Sequence, residues 1–205
     1  MPAIRFTRGE YWLLESAATL KLPITLLFDT EIDLALNKPG HGMNRRGITG
    51  ALDALKKRGL IQFTRRNSSE IISSSTKALA NPTEVYYELT PKGGKQWEAF
   101  AAPDWDVFLD TSQCYSKKKP VRCEIIGQNR ERIQRYVDGL HYDQVFPDPK
   151  TIRWKTHRPW RPTYWKVLPI GYSIVFDATI GERISWDTMP MSYYNLSRPR
   201  WYRWD

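Results

Sequence analysis

The sequence predicts an α+β protein with two domains, an N-terminal one over residues 1–102 and a C-terminal one over residues 103–205. Helical and strand patterns follow one another along the chain without an internal repeat. One helical pattern ends at Ala101 and Ala102, directly before Pro103, and a proline at that place favours a domain boundary. Hydrophobic residues make up 41% of the 205 residues, which is enough for a packed core.

Four segments of the N-terminal half have helical patterns. Ile48, Leu52 and Leu55 recur at helical spacing in one of them, and Gly59 follows its end as a C-terminal cap. Two others begin with proline in the first turn, a favoured position. These patterns predict helices over residues 10–20, 23–36, 44–58 and 91–100.

Two strands and a long connection lie between the last two of these helices. Residues 60–65 and 84–89 alternate in character and are rich in β-branched and aromatic side chains, which predicts strands. Residues 66–83 are rich in Ser and Asn, which predicts a long flexible loop. The Ile71-Ile72 pair does not fit a loop and is a candidate for packing on the body of the domain.

The C-terminal half predicts a small α+β domain. Residues 121–126 have a strand pattern, and residues 129–140 have the pattern of an amphipathic helix. Residues 164–168 and 172–176 are predicted to form a hairpin around the turn at residues 169–171. An antiparallel sheet packed on one helix is the expected architecture.

The order of elements in the N-terminal half is that of a winged helix-turn-helix. Residues 52–61 read LDALKKRGLI and resemble the exit of the recognition helix in MarR/PadR-like bacterial regulators. Residues 86–93 read YYELTPKG and resemble the second wing strand and the start of the next helix in that group. The resemblance covers residues 8–100. It implies a transcription regulator that binds double-stranded DNA as a homodimer, with the C-terminal domain serving dimerisation, a ligand or a partner.

The outward face of the helix over residues 44–58 has side chains suited to base recognition, because Arg can bond guanine and Asn can bond adenine. Cations on the wing suit phosphates or a minor groove. The candidate DNA-binding residues are Asn44, Arg45, Arg46, Thr49 and Lys56 on the helix, and Arg65, Arg66 and Lys77 on the wing. Opposing features are Gly47 and Gly50, each costing about 1 kcal/mol in a helix, and Asp53, which repels phosphates.

Tryptophan and arginine dominate the C-terminal half. Seven of the nine tryptophans follow residue 104, and basic residues alternate with several of them. Such side chains form protein interfaces, small cores or surfaces for single-stranded nucleic acid, and we favour the first two over the third. The candidate partner-binding residues are Trp154, Arg158, Trp160, Arg161, Trp201 and Trp204. They support an alternative function, a protein-binding immunity or antitoxin-like protein or an adaptor on a winged-helix scaffold.

The net charge and the absence of recognisable motifs limit the remaining classes of function. The net charge of +9, from 31 basic and 22 acidic residues, is compatible with a polyanionic partner. Neither a membrane-spanning run nor a signal peptide is recognisable, so a cytoplasmic protein is expected. Two cysteines and three scattered histidines predict no metal site, and no cofactor or enzyme motif is found. The acidic residues Asp104, Asp106 and Asp110 are expected to cap or solvate the segment after the boundary.

Overall fold

The computed structural model describes residues 5–29, 40–66, 68, 70–111 and 121–181. Helices and antiparallel sheets make up the chain, so the predicted α+β class is confirmed. The chain divides into two compact units. The first is Met1–Ala102 together with Thr163–Lys166, and the second is Pro103–Pro162 together with Val167–Asp205. Within the described ranges, no helix combines the length and the apolar character that crossing a membrane requires.

Short polar residues set the starts of the helices of the first unit. The described helices there are α1 (Arg8–Ser16), α2 (Arg45–Lys57), α3 (Ser75–Ala80) and α4 (Pro91–Ala101). The residues that cap them are Thr7, Asn44, Ser74 and Thr90. Each cap side chain accepts a hydrogen bond from the backbone N–H three residues later, which satisfies a donor that the first turn leaves free.

A four-stranded antiparallel sheet completes the first unit. Its strands are β1 (Leu22–Pro23), β2 (Ile61–Arg65), β3 (Ile71–Ile72) and β4 (Val85–Leu89), in the spatial order β1-β4-β2-β3. The central strands β2 and β4 place Phe63 opposite Tyr87, and both side chains are fully buried. The hairpin that follows α2 is therefore joined through β4 to the short strand that follows α1.

The predicted helix over residues 23–36 is wrong in its described part. Pro23 belongs to β1 and lies opposite Tyr86, and Ile24–Phe28 form a 3₁₀ helix. Proline lacks a backbone N–H and is tolerated in an edge strand, which explains why the sheet accepts it. Residues 30–36 of the prediction lie outside the described residues.

The predicted flexible loop is also wrong in much of its length. The connecting segment (residues 66–84) contains β3, which pairs with β2 through Phe63 opposite Ile72. It also contains α3, whose Ala78 is buried. The serines that indicated a loop include Ser74, which caps α3. Ser-rich composition therefore concealed a helix start, a role in which serine is a favoured residue.

The strap (Thr163–Lys166) belongs to the first unit although it is distant in sequence. The Tyr164 hydroxyl donates to the Ala17 carbonyl at 2.7 Å and accepts from the Leu89 N–H at 2.6 Å. Trp165 Nε1 donates to the Ala18 carbonyl at 2.7 Å. Burial raises the pKa of the Tyr164 phenol above its ordinary value, so the hydroxyl keeps the proton that it donates. The strap thus links the end of α1 to the end of β4.

The described part of the second unit is an antiparallel sheet with one α-helix packed on it. The described strands are β5 (Leu109–Asp110), β6 (Val121–Gly127), β7 (Val145–Pro147), β8 (Arg153–His157) and β9 (Gly171–Ile180), and the helix is α5 (Arg130–Gly139). The central strand β9 pairs with β6 along one side and with β7 and β8 along the other. The core lies between α5 and this sheet and includes Ile125, Ile133, Ile174 and Phe176.

The predicted hairpin of residues 164–168 and 172–176 is wrong. Residues 172–176 do lie in β9, but their partners are β6 and β8. Of the other predicted strand, only Leu168 forms a bridge, to Trp160. Side-chain hydrogen bonds from Tyr164 and Trp165 to distant backbone groups replace the local pairing that the apolar alternation suggested.

Candidate nucleic-acid interface

Two hydrogen bonds of the His41 ring hold the start of α2. The Met43 N–H donates to His41 Nδ1 at 2.9 Å, so this nitrogen acts as an acceptor and the proton lies on Nε2. His41 Nε2 then donates to the Leu27 carbonyl, also at 2.9 Å. The same ring makes an edge contact with Trp12 of α1. The first turn of α2 is therefore fastened to the elements that precede it.

The end of α2 is held by the start of α4. Lys92 Nζ donates to the Arg58 carbonyl at 2.7 Å, and Thr90 Oγ1 donates to the Gly59 carbonyl at 2.6 Å. Carbonyls at a helix C-terminus lack intrahelical partners, and a cation there also complements the helix dipole. The two sequence strings that resemble MarR/PadR-like regulators thus meet in space and fix the exit of α2.

One face of α2 is exposed over the whole length of the helix. Arg46, Gly50, Asp53 and Lys57 follow the spacing i, i+4, i+7 and i+11 and are all exposed, so they form one strip along the helix. The opposite face is buried and contains Ile48, Leu52 and Leu55. The side chains of Arg46 and Lys57 form no hydrogen bond or ion pair with any described residue. The strip therefore presents two exposed cations that no described residue engages.

The glycine in the middle of this strip faces open space. A Cβ added to Gly50 would have no atom within 4 Å. We expect Gly50→Ala to raise the free energy of unfolding by about 1 kcal/mol, because alanine is the better helix former. Urea unfolding followed by circular dichroism measures the change, with Lys57→Ala as a control of small effect. A loss of stability in Gly50→Ala would mean that another part of the chain covers this face.

The remaining predicted residues of α2 have mixed roles. Arg45 is exposed, with its guanidinium 5.2 Å from the centre of the Phe28 ring. Asn44 Oδ1 accepts from the Gly47 N–H at 2.9 Å, and Thr49 Oγ1 donates to the Arg45 carbonyl at 2.9 Å. Asn44 therefore caps the start of α2, and the Thr49 hydroxyl is engaged by the helix backbone. The arginines are the exposed cationic groups at this end of the helix.

Two members of the basic triplet after Leu55 have structural contacts. Lys56 Nζ donates to the Ile72 carbonyl at 3.3 Å. Arg58 forms an ion pair of 3.0 Å with Glu10, a carboxylate that is only 6% exposed. The third member, Lys57, lies on the exposed strip. The DNA-binding residues predicted from the sequence include Lys56 but not Lys57. The helical spacing from Arg46 indicates Lys57 as a member of the same face.

Three predicted cations lie at the connecting segment. Arg65, Arg66 and Lys77 are all exposed. Arg65 and Lys77 line a groove of about 420 Å³ that Glu70 and Glu84 also line. Arg65 forms an ion pair with Glu70 at 3.1 Å, and both groups are about half exposed. The acidic side chains offset part of the positive charge in the groove, whereas the side chain of Arg66 forms no ion pair among the described residues.

Among the residues that the structure describes, the excess of positive charge lies in the first unit. Its described residues include fourteen basic and eight acidic side chains, a net charge of +6. The described residues of the second unit include nine basic and nine acidic side chains, a net charge of zero. A polyanion would therefore be attracted to the first unit over the described part of the second.

The candidate partner-binding residues of the second unit differ in exposure. Trp160 is only 5% exposed, and its ring lies against Phe108 and the backbone of Gly171, so it is part of the interior. Trp154 is half-buried beneath the guanidinium of Arg130, 4.6 Å from the ring centre. The exposed members are Arg158 and Arg161. Two further candidates, Trp201 and Trp204, lie outside the described residues.

Glu124, Ser173 and His157 form a hydrogen-bonded chain on the sheet of the second unit. Their order differs from that of a catalytic triad with a serine nucleophile. Ser173 Oγ donates to Glu124 at 2.8 Å and contacts His157 Nε2 at 2.9 Å, and Ser173 is fully buried. In a nucleophilic triad the histidine lies between serine and carboxylate and accepts the hydroxyl proton. Here the serine lies between the other two, and its proton points to the carboxylate.

Metal-ligating groups are also dispersed in the described part of the chain. No three His, Cys, Asp or Glu side chains there are placed to hold one metal ion. Asp104, from the acidic set noted in the sequence, accepts from the Asp106 N–H at 3.1 Å and so caps the short 3₁₀ helix Trp105–Val107.

Comparison with other proteins gives no assignment: no protein-family model matches the chain, and neither a curated protein nor a solved structure is significantly similar to it.

Proposed function

We propose that the protein is a sequence-specific DNA-binding transcription regulator whose first unit is a winged helix-turn-helix. In this proposal α2 enters the major groove, and β2 and β4 with their connecting segment form the wing. The proposal depends on the exposed strip of α2, which is held by hydrogen bonds at both ends of the helix and carries two cations that form no ion pair with a described residue. A regulator of this kind would bind an operator as a homodimer, since paired half-sites match a two-fold protein.

The dimensions and chemistry of α2 suit the major groove. The groove is about 12 Å wide and accepts one helix, whose N-terminal exposed residues reach the base edges. Arg45 and Arg46 occupy that end of α2, and arginine bonds guanine O6 and N7 in a bidentate manner. Gly50 permits a close approach of the helix backbone, because no side chain projects there. Lys57, about 16 Å further along the axis, is placed for a phosphate.

The wing and the charge of the unit provide the sequence-independent part of binding. Arg66 and Lys77 are exposed cations of the kind that contacts phosphates or enters a narrow minor groove. The net charge of +6 over the described residues of the first unit would add attraction to any duplex, and this attraction should weaken as salt rises.

The test is selection from a pool of random duplexes by the purified full-length chain across a series of salt concentrations. We expect retention of a palindromic site, with affinity that falls steeply as salt increases. Absence of retention even at low salt would reject the proposal and favour the alternative function.

We expect the double variant Arg45→Ala, Arg46→Ala to bind the selected site about a hundredfold more weakly, because each bidentate arginine contributes about 1–3 kcal/mol of discrimination. Arg66→Ala should instead weaken binding to all duplexes alike and reduce the salt slope by about one. Fluorescence anisotropy with specific and scrambled duplexes measures both effects. Unchanged affinity in the double variant would show that α2 is not the recognition helix.

The alternative function is a protein-binding immunity or antitoxin-like protein or an adaptor on the same scaffold. A partly exposed aromatic cluster in the first unit favours it. Phe100 is 59% exposed, with its ring centre 4.8 Å from that of Tyr11 and 6.0 Å from that of Phe6. Aromatic side chains of this kind commonly anchor protein interfaces.

A further inference from the structure

Lys56, in the last turn of α2, contacts the proposed wing. Lys56 is half-buried, and its Nζ lies 3.3 Å from the Ile72 carbonyl and 5.3 Å from the centre of the Phe63 ring. Ile72 lies opposite Phe63 in the pairing of β2 with β3. The ammonium group therefore contacts both strands at one rung of the ladder.

The strand that Lys56 contacts is short, and its other nearby support is the backbone hydrogen bond of 3.0 Å and the ion pair between Arg65 and Glu70, the residue before β3. β3 consists of two residues at the edge of the sheet, and its pairing with β2 covers two positions. Ile71 is 60% exposed, so it contributes little burial. β3 is shorter than most strands of globular proteins, so it contributes few ladder hydrogen bonds to the sheet. The contact from Lys56, a long hydrogen bond of 3.3 Å from a charged donor together with the contact to the Phe63 ring, adds to the placement of β3.

The position of β3 sets the position of the cations of the wing. β3 follows Arg66 in the chain, and α3 begins three residues after the end of β3. Lys77 is an exposed residue of α3. A shift of β3 relative to α2 would therefore move Lys77 relative to the exposed strip to the extent that the direct packing of α3 on α2 allows. DNA contacts in two grooves require such groups to be held at a defined separation.

We propose that Lys56 is a positioning residue that holds the wing against α2, while its neighbour Lys57 acts as a phosphate ligand. The role of Lys56 in DNA binding rests on the proposed function, whereas its contact with β3 is a property of the unit alone. This proposal gives Lys56 an indirect role in DNA binding, whereas the sequence predicts a direct contact.

The experiment compares three variants of the full chain: Lys56→Met, Lys57→Met as the matched control, and Lys56→Arg as the conservative replacement. Hydrogen–deuterium exchange is followed over residues 70–80. We expect exchange there to be about tenfold faster in Lys56→Met, because an opened β3 loses its protection. Lys57→Met should match the wild type, and Lys56→Arg should restore most of the protection, since arginine can also donate to a carbonyl and lie over a ring.

Footprinting on the selected duplex gives the second readout. In Lys56→Met we expect protection by the wing at the flanks to fade while protection at the centre of the site remains. Lys57→Met should weaken binding uniformly and reduce the salt slope by about one. Equal exchange in the two methionine variants would overturn the positioning role of Lys56, and so would uniform weakening without loss of the flanking protection. If the wild type binds no DNA, the proposed function fails, and the exchange data alone decide the role of Lys56.

Discussion

Gly93→Ala is expected to lower the free energy of unfolding of the first unit by about 3 kcal/mol or more, because the new methyl group has no space. A Cβ at this position would lie 1.8 Å from the carbonyl oxygen of Leu60 and 2.7 Å from its carbonyl carbon. Both are backbone atoms of the turn that follows α2, so neither can move aside as a flexible side chain would. The start of α4 would have to withdraw from the end of α2.

The matched control for this variant is Gly50→Ala, which makes the same chemical change on an open helix face. Urea unfolding of the two variants should give shifts of opposite sign. If the proposed function is correct, Gly93→Ala should also bind DNA more weakly at temperatures where the unit is still folded, because the exit of α2 is displaced. A Gly93→Ala protein as stable as the wild type would contradict the close approach of α4 to Leu60.

The second large effect concerns the strap. A Cβ at Gly94 would lie 2.1 Å from the ring of Trp165, and the same ring makes an edge contact with Trp97. We expect Gly94→Ala and Trp165→Ala each to cost about 2–3 kcal/mol, the first by overlap and the second by loss of a partly buried ring. In the double variant the new methyl group occupies space that the indole has left, so the two losses should not add.

A double-mutant cycle tests this arrangement directly. We expect Gly94→Ala to cost almost nothing in the Trp165→Ala background, which corresponds to a coupling free energy of about 2 kcal/mol. The control cycle pairs Gly50→Ala with Trp165→Ala, two sites without a shared contact, and should be additive. Additive costs for the Gly94 pair would show that Trp165 does not pack on α4.

Elements specified by local signals could be predicted from the sequence. The helix predicted over residues 44–58 is α2, since its cap Asn44, its apolar stripe and Gly59 all lie within one segment. The strands predicted over residues 60–65 and 84–89 are β2 and β4, each within one residue of the observed start. Cap chemistry and side-chain periodicity act over a few residues, so one sequence contains the information.

Elements that depend on distant partners could not be predicted. β1 forms because Leu22 lies opposite Tyr87, and nothing in its local pattern indicates that pairing. In the candidate site, too, some features follow from local spacing and others depend on distant partners. The exposed Arg46 follows from helical spacing, but the engagement of Lys56 depends on a carbonyl sixteen residues away, at Ile72. Adjacent lysines with the same local surroundings therefore differ in their contacts for reasons that only the tertiary structure shows.

The strap has a consequence for folding during synthesis. The first unit obtains Thr163–Lys166 only after the sixty residues of Pro103–Pro162 have been made. Until then the carbonyls of Ala17 and Ala18 lack the partners that Tyr164 and Trp165 supply. Domains usually fold as units, N-terminal first, as the chain leaves the ribosome. Here the N-terminal unit is completed late, and a nascent chain that stops before the strap would expose the surface around Gly94 and Trp97.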